Sequence, residues 1–315
     1  AETFDIATID RELGWAQGLG FNTVRVFLHN LPWERDPISY LERITAFLDV
    51  AEAHKIGVMF VLFDGVWDPY PHPGKQPSPR PGLHNSGWVQ APGAVILRSL
   101  ERHAELKGYV QGIVGRFRDD PRIHAWDIFN EPDNTNDNSY GRLEPREKAS
   151  LSLHLLKTSY AWVREIGPSQ PITSGVWKGD WSSPEKLSPM EHFQLEQSDV
   201  ISFHNYGPLN DIRAKVEQLK RYGRPILCTE YMARPAGSRF DPILGYLKEQ
   251  KVGAYNWGFV SGKSQTIYPW DSWKKPYAAE PPVWFHDIFR ADGSPFDSKE
   301  VDYIRKVTGA KAGAK

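Results

Sequence analysis

Two glutamates stand where carboxylates could do chemistry. Glu131 follows the run Ile123–Phe129 and precedes Pro132; Glu230 ends the run Pro225–Thr229. Both runs are rich in β-branched and aromatic residues and read as strands. Proline biases the residue before it away from helical backbone angles, so Glu131 is expected to end regular pairing. Each glutamate is thereby presented at the carboxyl end of a strand. Two carboxyl groups facing one cleft suit cleavage of a glycosidic bond. One protonates the leaving oxygen; the other attacks the anomeric carbon or activates water. A separation of ~5–5.5 Å goes with retention and ~6.5–9.5 Å with inversion, and a sequence carries no distance.

The elements that must position this pair alternate. Strands are predicted over Asn22–Leu28, Gly57–Phe63, Ile123–Phe129, Pro171–Ser174, Val200–His204, Pro225–Glu230 and Gly253–Phe259. Helices are predicted over Ile9–Leu19, Pro37–His54, Glu101–Arg118, Glu147–Ile166, Asp211–Tyr222, Pro242–Lys251 and Ser298–Val307. Strand–helix alternation of this kind implies parallel strands and right-handed crossovers, an α/β fold of TIM (β/α)₈ type. Such a barrel has eight strands, and only seven are predicted, the missing one preceding the first helix. The expectation is a barrel lacking its first strand, whose open edges favour self-association. Two long insertions follow strand ends: Asp64–Leu97, with Trp67, His84, Asn85 and Trp88, and Ser261–Pro282, with Trp270 and Trp273. Barrels of this type place their sites on that face. One catalytic domain over 1–315 is expected, with a disordered tail near 308–315.

Composition excludes several classes. The chain has 315 residues, of which 38 are basic and 39 acidic, a net charge of −1 that gives no polyanion partner a handle. The one cysteine, Cys228, forms no intrachain disulfide and reads as a small core residue. No apolar run is long enough for a membrane helix. Gly18-Leu19-Gly20 lacks a third glycine, and no phosphate-binding loop, zinc-protease or serine-hydrolase motif occurs. His72, His84, His103 and His124 are scattered without metal-ligand spacing, so no metal or other cofactor is implied. The chain starts at Ala1 without Met, which leaves its compartment open. Twelve Trp and 13 Tyr are a high count; core and barrel packing accounts for many, exposed aromatic rings near strand ends also suit stacking on sugars, and composition alone does not separate the two uses.

Trp126–Pro132, ending in Asn130-Glu131-Pro132, resembles the acid/base motif of glycoside hydrolase clan A. Cys228–Tyr231 resembles that clan's nucleophile strand. Arg25 matches the arginine that supports the nucleophile, and Phe203–Tyr206 matches the strand that carries a His/Tyr pair. Trp257 matches the tryptophan under the cleaved sugar. The matches span nearly the whole chain in the right order, and family-5 cellulases and mannanases are the nearest comparison. The absent first strand and the unusual segment after Phe63 are the departures.

The resemblance implies a retaining hydrolase of β-linked glucan or mannan, secreted or periplasmic. Glu230 would be the nucleophile and Glu131 the acid/base. Arg25 would keep Glu230 ionised, Tyr206 would hydrogen-bond it, and Asn130 would bind the sugar 2-hydroxyl. His204, Trp257, Trp67, His84, Asn85 and Trp88 complete the expected substrate-binding set.

Plainer readings stand beside these. Glu131 could be a solvated turn acid, and Arg25 a buried strand arginine satisfied by backbone. Trp257 could be packing alone. Asp64, His84, Asn85 and Trp88 are as readily structural as substrate contacts, and Asp127 reads as structural. A transglycosidase, or a carbohydrate-binding barrel without catalysis, are the competing functions; an esterase has no serine motif to support it.

Overall fold

The computed structural model describes residues 4–310. Seven strands run parallel: β1 (Thr23–Phe27), β2 (Gly57–Asp64), β3 (Ile123–Asn130), β4 (Ile172–Thr173), β5 (Ile201–His204), β6 (Ile226–Tyr231) and β7 (Gly253–Asn256). They form two ladders, β1-β2-β3-β4 and β5-β6-β7. A single parallel bridge, Val176 to Phe203, joins the ladders on one side. On the other side β1 and β7 share no ladder, and the phenol of Tyr255 lies 3.0 Å from the hydroxyl of Thr23. The fold is a TIM-type α/β barrel.

Burial follows this topology. All eight residues of β2 are buried, as a central parallel strand covered on both faces requires. Each such Val, Leu or Phe contributes roughly 1.5–3 kcal/mol by leaving water. By contrast every residue of β1 and β7 is only half-buried. A groove of about 780 Å³ runs between these two edges and reaches helices Ile6–Gly18 and Ser298–Thr308. The core is correspondingly divided into one apolar cluster around β2 and β3 and another around β5 and β6. No helix among the described residues is long and apolar enough to cross a membrane.

Several boundaries differ from expectation. The helix predicted over Glu101–Arg118 is a 3₁₀ segment, Leu100–Leu106, feeding an α-helix, Lys107–Arg116; a 3₁₀ turn is a common lead-in to a helix. A helix over Pro189–Gln197, which the sequence pattern does not predict, separates β4 from β5. Its signal is Ser188 with Glu191, which form a reciprocal capping box ahead of a proline at the first helical turn. A short helix over Asn30–Arg35 is likewise unpredicted. β7 stops before the predicted Phe259 because the chain turns at Gly258, whose φ is +81° and where a Cβ would meet His286 Cβ at 2.5 Å. The tail expected to fray from 308 is anchored at its start, with the Thr308 hydroxyl donating to the Leu19 carbonyl at 2.7 Å; residues 311–315 lie outside the described residues. Cys228 is buried, and burial pushes its thiol up, out of nucleophilic use.

The unpaired edges predict a measurable asymmetry. In hydrogen-exchange mass spectrometry, peptides covering β1 and β7 should exchange faster than the peptide covering β2. Equal protection of all three would show that the edges are covered in solution.

Candidate active site

Arg25 lies at the middle of β1 and points inward, its side chain only 4% exposed. Its Nε and Nη2 donate to Asp127 Oδ2 at 3.0 and 2.8 Å. Nη2 also donates to Asn130 Oδ1 at 2.7 Å, and Nη1 to Glu230 Oε1 at 2.8 Å. Burial alone would favour loss of the guanidinium proton, but Asp127 and Glu230 outweigh it and hold the group further above its ordinary range. The planar fork is suited to bridging two carboxylates at once, which a lysine could not do. Asp127, read from sequence as structural, is thus the residue that orients Arg25.

Glu230 accepts a second bond, from the Tyr206 hydroxyl at 2.6 Å. Burial and the neighbouring Glu230 charge raise the Tyr206 phenol well above its usual range, so it stays a donor. The His204 ring sits between the two glutamates, with Nδ1 2.8 Å from Glu131 Oε1 and 3.6 Å from Glu230 Oε2. Asn134 donates to Glu131 Oε2 at 2.7 Å. One carboxylate oxygen of Glu131 lies within 4.8 Å of one on Glu230. That close approach is consistent with the short separation that goes with direct attack by one carboxylate. Glu131, His204 and Glu230 would also be the one constellation among the described residues able to hold a cation, but Arg25 already supplies the positive charge there.

Glu131 follows the last residue of β3 and has a φ of +40°. A non-glycine residue in that region is strained, and such strain persists only where its surroundings enforce it. Here Gly65 permits a close backbone approach: a Cβ on Gly65 would fall 2.3 Å from the Glu131 carbonyl oxygen. Buried Lys148 braces the same point, donating to the Gly65 carbonyl at 2.7 Å and to Glu144 at 2.8 Å.

Asn130 is held from both sides, its oxygen by Arg25 and its nitrogen by Asp64 Oδ1 at 2.9 Å. One amide hydrogen remains for a ligand. Asp64 also accepts from Trp88 Nε1 at 2.5 Å. Burial pushes the Asp64 carboxyl up to about 7, against the bonds from Asn130 and Trp88 that lower it. Trp88, Trp257 and Phe27 pack edge to face with ring centroids 5.2, 5.5 and 5.6 Å apart. Trp67 stacks on Trp273 of the second insertion.

His84 and Asn85 are corrected. Both are 1% exposed, and their polar atoms are used inside the rim. His84 Nδ1 meets the Tyr268 carbonyl at 2.7 Å, and burial lowers the ring to about 4, keeping it neutral. The Asn85 amide, oriented to satisfy both neighbours, donates to the Ser264 carbonyl and accepts from Trp67 Nε1. These two residues join the insertions.

Similarity to known proteins agrees with this geometry. A family model described as Cellulase (glycosyl hydrolase family 5) matches residues 15–263. The chain belongs to glycosyl hydrolase family 5. As a family-5 member it is a retaining β-glycoside hydrolase with a carbohydrate substrate. Its fold is similar to an endo-β-1,4-mannanase from Thermotoga petrophila, at 17% identity and TM-score 0.62, covering 97% of this chain and 73% of that one. An endo-1,4-β-mannanase from Rhizomucor miehei gives 14% identity and TM-score 0.61 over 97% and 90% of the two chains. A β-glucosidase, 1317, gives 11% and 0.63 over 96% and 88%. No curated protein sequence matches the chain.

Two outcomes follow for this family-5 site. Tyr206→Phe removes a hydrogen bond to a charged group, about 1.5–3 kcal/mol, and should lower kcat/KM by ~10–10²-fold in steady-state assays. Asp64 binds a proton in the folded state at pH values where the unfolded carboxyl, near ~3.9, has lost it. Its contribution to stability therefore falls as pH rises from about 4 to about 7 and then levels. The melting temperature of Asp64→Asn relative to the parent should rise across that window; parallel pH curves would refute the assignment.

Proposed function

We propose that Glu230 is the nucleophile and Glu131 the acid/base in hydrolysis of a β-linked glucan or mannan-type chain. The single observation that carries this is the carboxylate pair within 4.8 Å, with the buried guanidinium of Arg25 bonded to Glu230. In the first step a Glu230 oxygen bonds to the anomeric carbon while the glycosidic C–O bond breaks. The Glu131 proton passes to the leaving oxygen. In the second step Glu131 takes a proton from water, the water oxygen bonds to the anomeric carbon, and the ester bond to Glu230 breaks.

Arg25 and Tyr206 hold Glu230 and favour its anionic form as leaving group in that second step. His204 and Asn134 fix the Glu131 carboxyl. Asn130 offers its free amide hydrogen to the sugar 2-hydroxyl, and Trp257 with Trp88 forms the apolar floor for the ring. The glucan or mannan class rests on the names of the structural neighbours, mannanases and a β-glucosidase. A sugar acceptor replacing water would make the same site a transglycosidase.

The whole of 1–315 acts as one catalytic domain in this reading. The half-buried edges of β1 and β7 support self-association through the groove between them. That would slow exchange at those edges as protein concentration rises.

Chemical rescue tests the roles. Glu230→Ala should show no measurable turnover of an aryl β-glycoside, and azide should restore it with an α-glycosyl azide as product. Glu131→Ala should lose ~10²–10⁴-fold, and azide should yield the β-glycosyl azide. Unchanged turnover in Glu230→Ala, or the opposite azide anomers, would overturn the assignment.

A further inference from the structure

The two insertions are bonded to each other across the mouth of the barrel. Asn85 N donates to the Ser264 carbonyl at 2.8 Å and Tyr277 N to the Gly82 carbonyl at 3.0 Å. The Gln265 amide donates to the Arg80 and Leu83 carbonyls at 2.8 and 3.0 Å, and Trp273 Nε1 to the His84 carbonyl at 2.9 Å. Leu83, His84 and Asn85 are buried, so this is a packed seam and not a contact of two loose loops.

The short helical turn Trp270–Trp273 carries the seam across the cleft. At one end Trp270 meets Tyr206 edge-on at 5.1 Å, and Tyr206 bonds Glu230. At the other end Trp273 stacks on Trp67 at 5.8 Å and meets Tyr140 at 5.0 Å. A segment that leaves the barrel at β7 therefore spans to the loops after β2, β3 and β5. Below it, the edge-to-face trio Phe27, Trp88 and Trp257 forms an aromatic floor at the ends of β1 and β7, where it lines the groove between them.

This inference rests on the double-displacement mechanism proposed for Glu131 and Glu230. In that reaction the sugar bonded to Glu230 lies on the nucleophile side, and the leaving group lies past Glu131. We propose that the arch and its aromatic floor make the nucleophile side a blind pocket for one sugar ring, so that the enzyme is exo-acting. It removes single sugars from non-reducing ends. The chain extends only past Glu131, where half-buried Trp177 is held by Asp133 at 2.8 Å beside the exposed Lys178. Excluding a second ring is a steric effect, and steric exclusion discriminates more strongly than a missing contact.

Para-nitrophenyl β-glucosides and β-mannosides with one, two and three sugars test this. Product analysis at early times distinguishes direct loss of the aryl group and loss that follows removal of a terminal sugar. For one of the two sugars, the one-ring compound should release the aryl group with kcat/KM ~10²-fold above direct release from the two-ring compound. Reducing-end-labelled hexasaccharides of the same sugar should give the labelled pentasaccharide and free monosaccharide first. The double variant Gln265→Ala/Trp273→Ala, which loosens the arch, should gain direct release from the two-ring compound by ~10-fold or more.

Direct release from the longer glycosides as fast as from the one-ring compound would overturn the blind pocket, as would labelled di- and trisaccharide appearing first. No release from either one-ring compound would overturn it too. Should the parent cut internally while Glu230→Ala is dead, only this inference falls. Should Glu230→Ala cleave like the parent, the double-displacement mechanism falls instead.

Discussion

The arrangement turns on one buried guanidinium. Arg25 bridges Asp127, Asn130 and Glu230 with its side chain almost wholly out of water. Burying a charge without partners costs several kcal/mol, so the fold must bring those acceptors to it. Arg25 sits on β1, two of its acceptors on β3, and Glu230 on β6. The ion cluster therefore ties together two ladders that share no hydrogen-bonded edge between β1 and β7. It holds the barrel across its opening and, by the same bonds, aims the carboxylate that faces Glu131.

Around that cluster the site is built from constraint more than from reach. Glu131 has a positive φ where its carbonyl lies against Gly65, whose lack of a Cβ permits the approach and whose own carbonyl is held by the buried Lys148. Asn130 is clamped between Arg25 and Asp64, and Asp64 in turn positions Trp88. Each polar side chain near the carboxylates is held by another, which is what keeps reacting groups in register without reorganisation during catalysis. The two insertions extend the same principle to the rim, where His84 and Asn85 spend their polar atoms on neighbouring loops.

Much of the fold was legible in the chain. Hydrophobic runs separated by helical periods placed all seven strands within a few residues. The Pro189–Gln197 helix escaped because it is short and signalled mainly by its cap at Ser188. Glu131, Tyr206 and Glu230 were legible because each stands at or near a strand end, and Arg25, in the middle of β1, because its strand comes in the order that the family resemblance implies. Asp127 was legible as a structural acid able to pair with an Arg or His inside the barrel, and the partner is Arg25; alternation along a strand says which face a residue takes, not which of those partners waits there.

The sequence by itself determined the parallel α/β architecture and the strand-end placement of the two glutamates, because period and strand ends are local properties; the residues expected to attend them followed from the resemblance of their motifs to a known family. Only the tertiary structure decided the spacing of the carboxylates, the strain at Glu131 and the shared role of Asp127 and Arg25. It also turned His84 and Asn85 from ligand candidates into rim ties, and joined two insertions separated by more than half the chain into one wall. Those are distances between elements remote in sequence, and no local pattern encodes them.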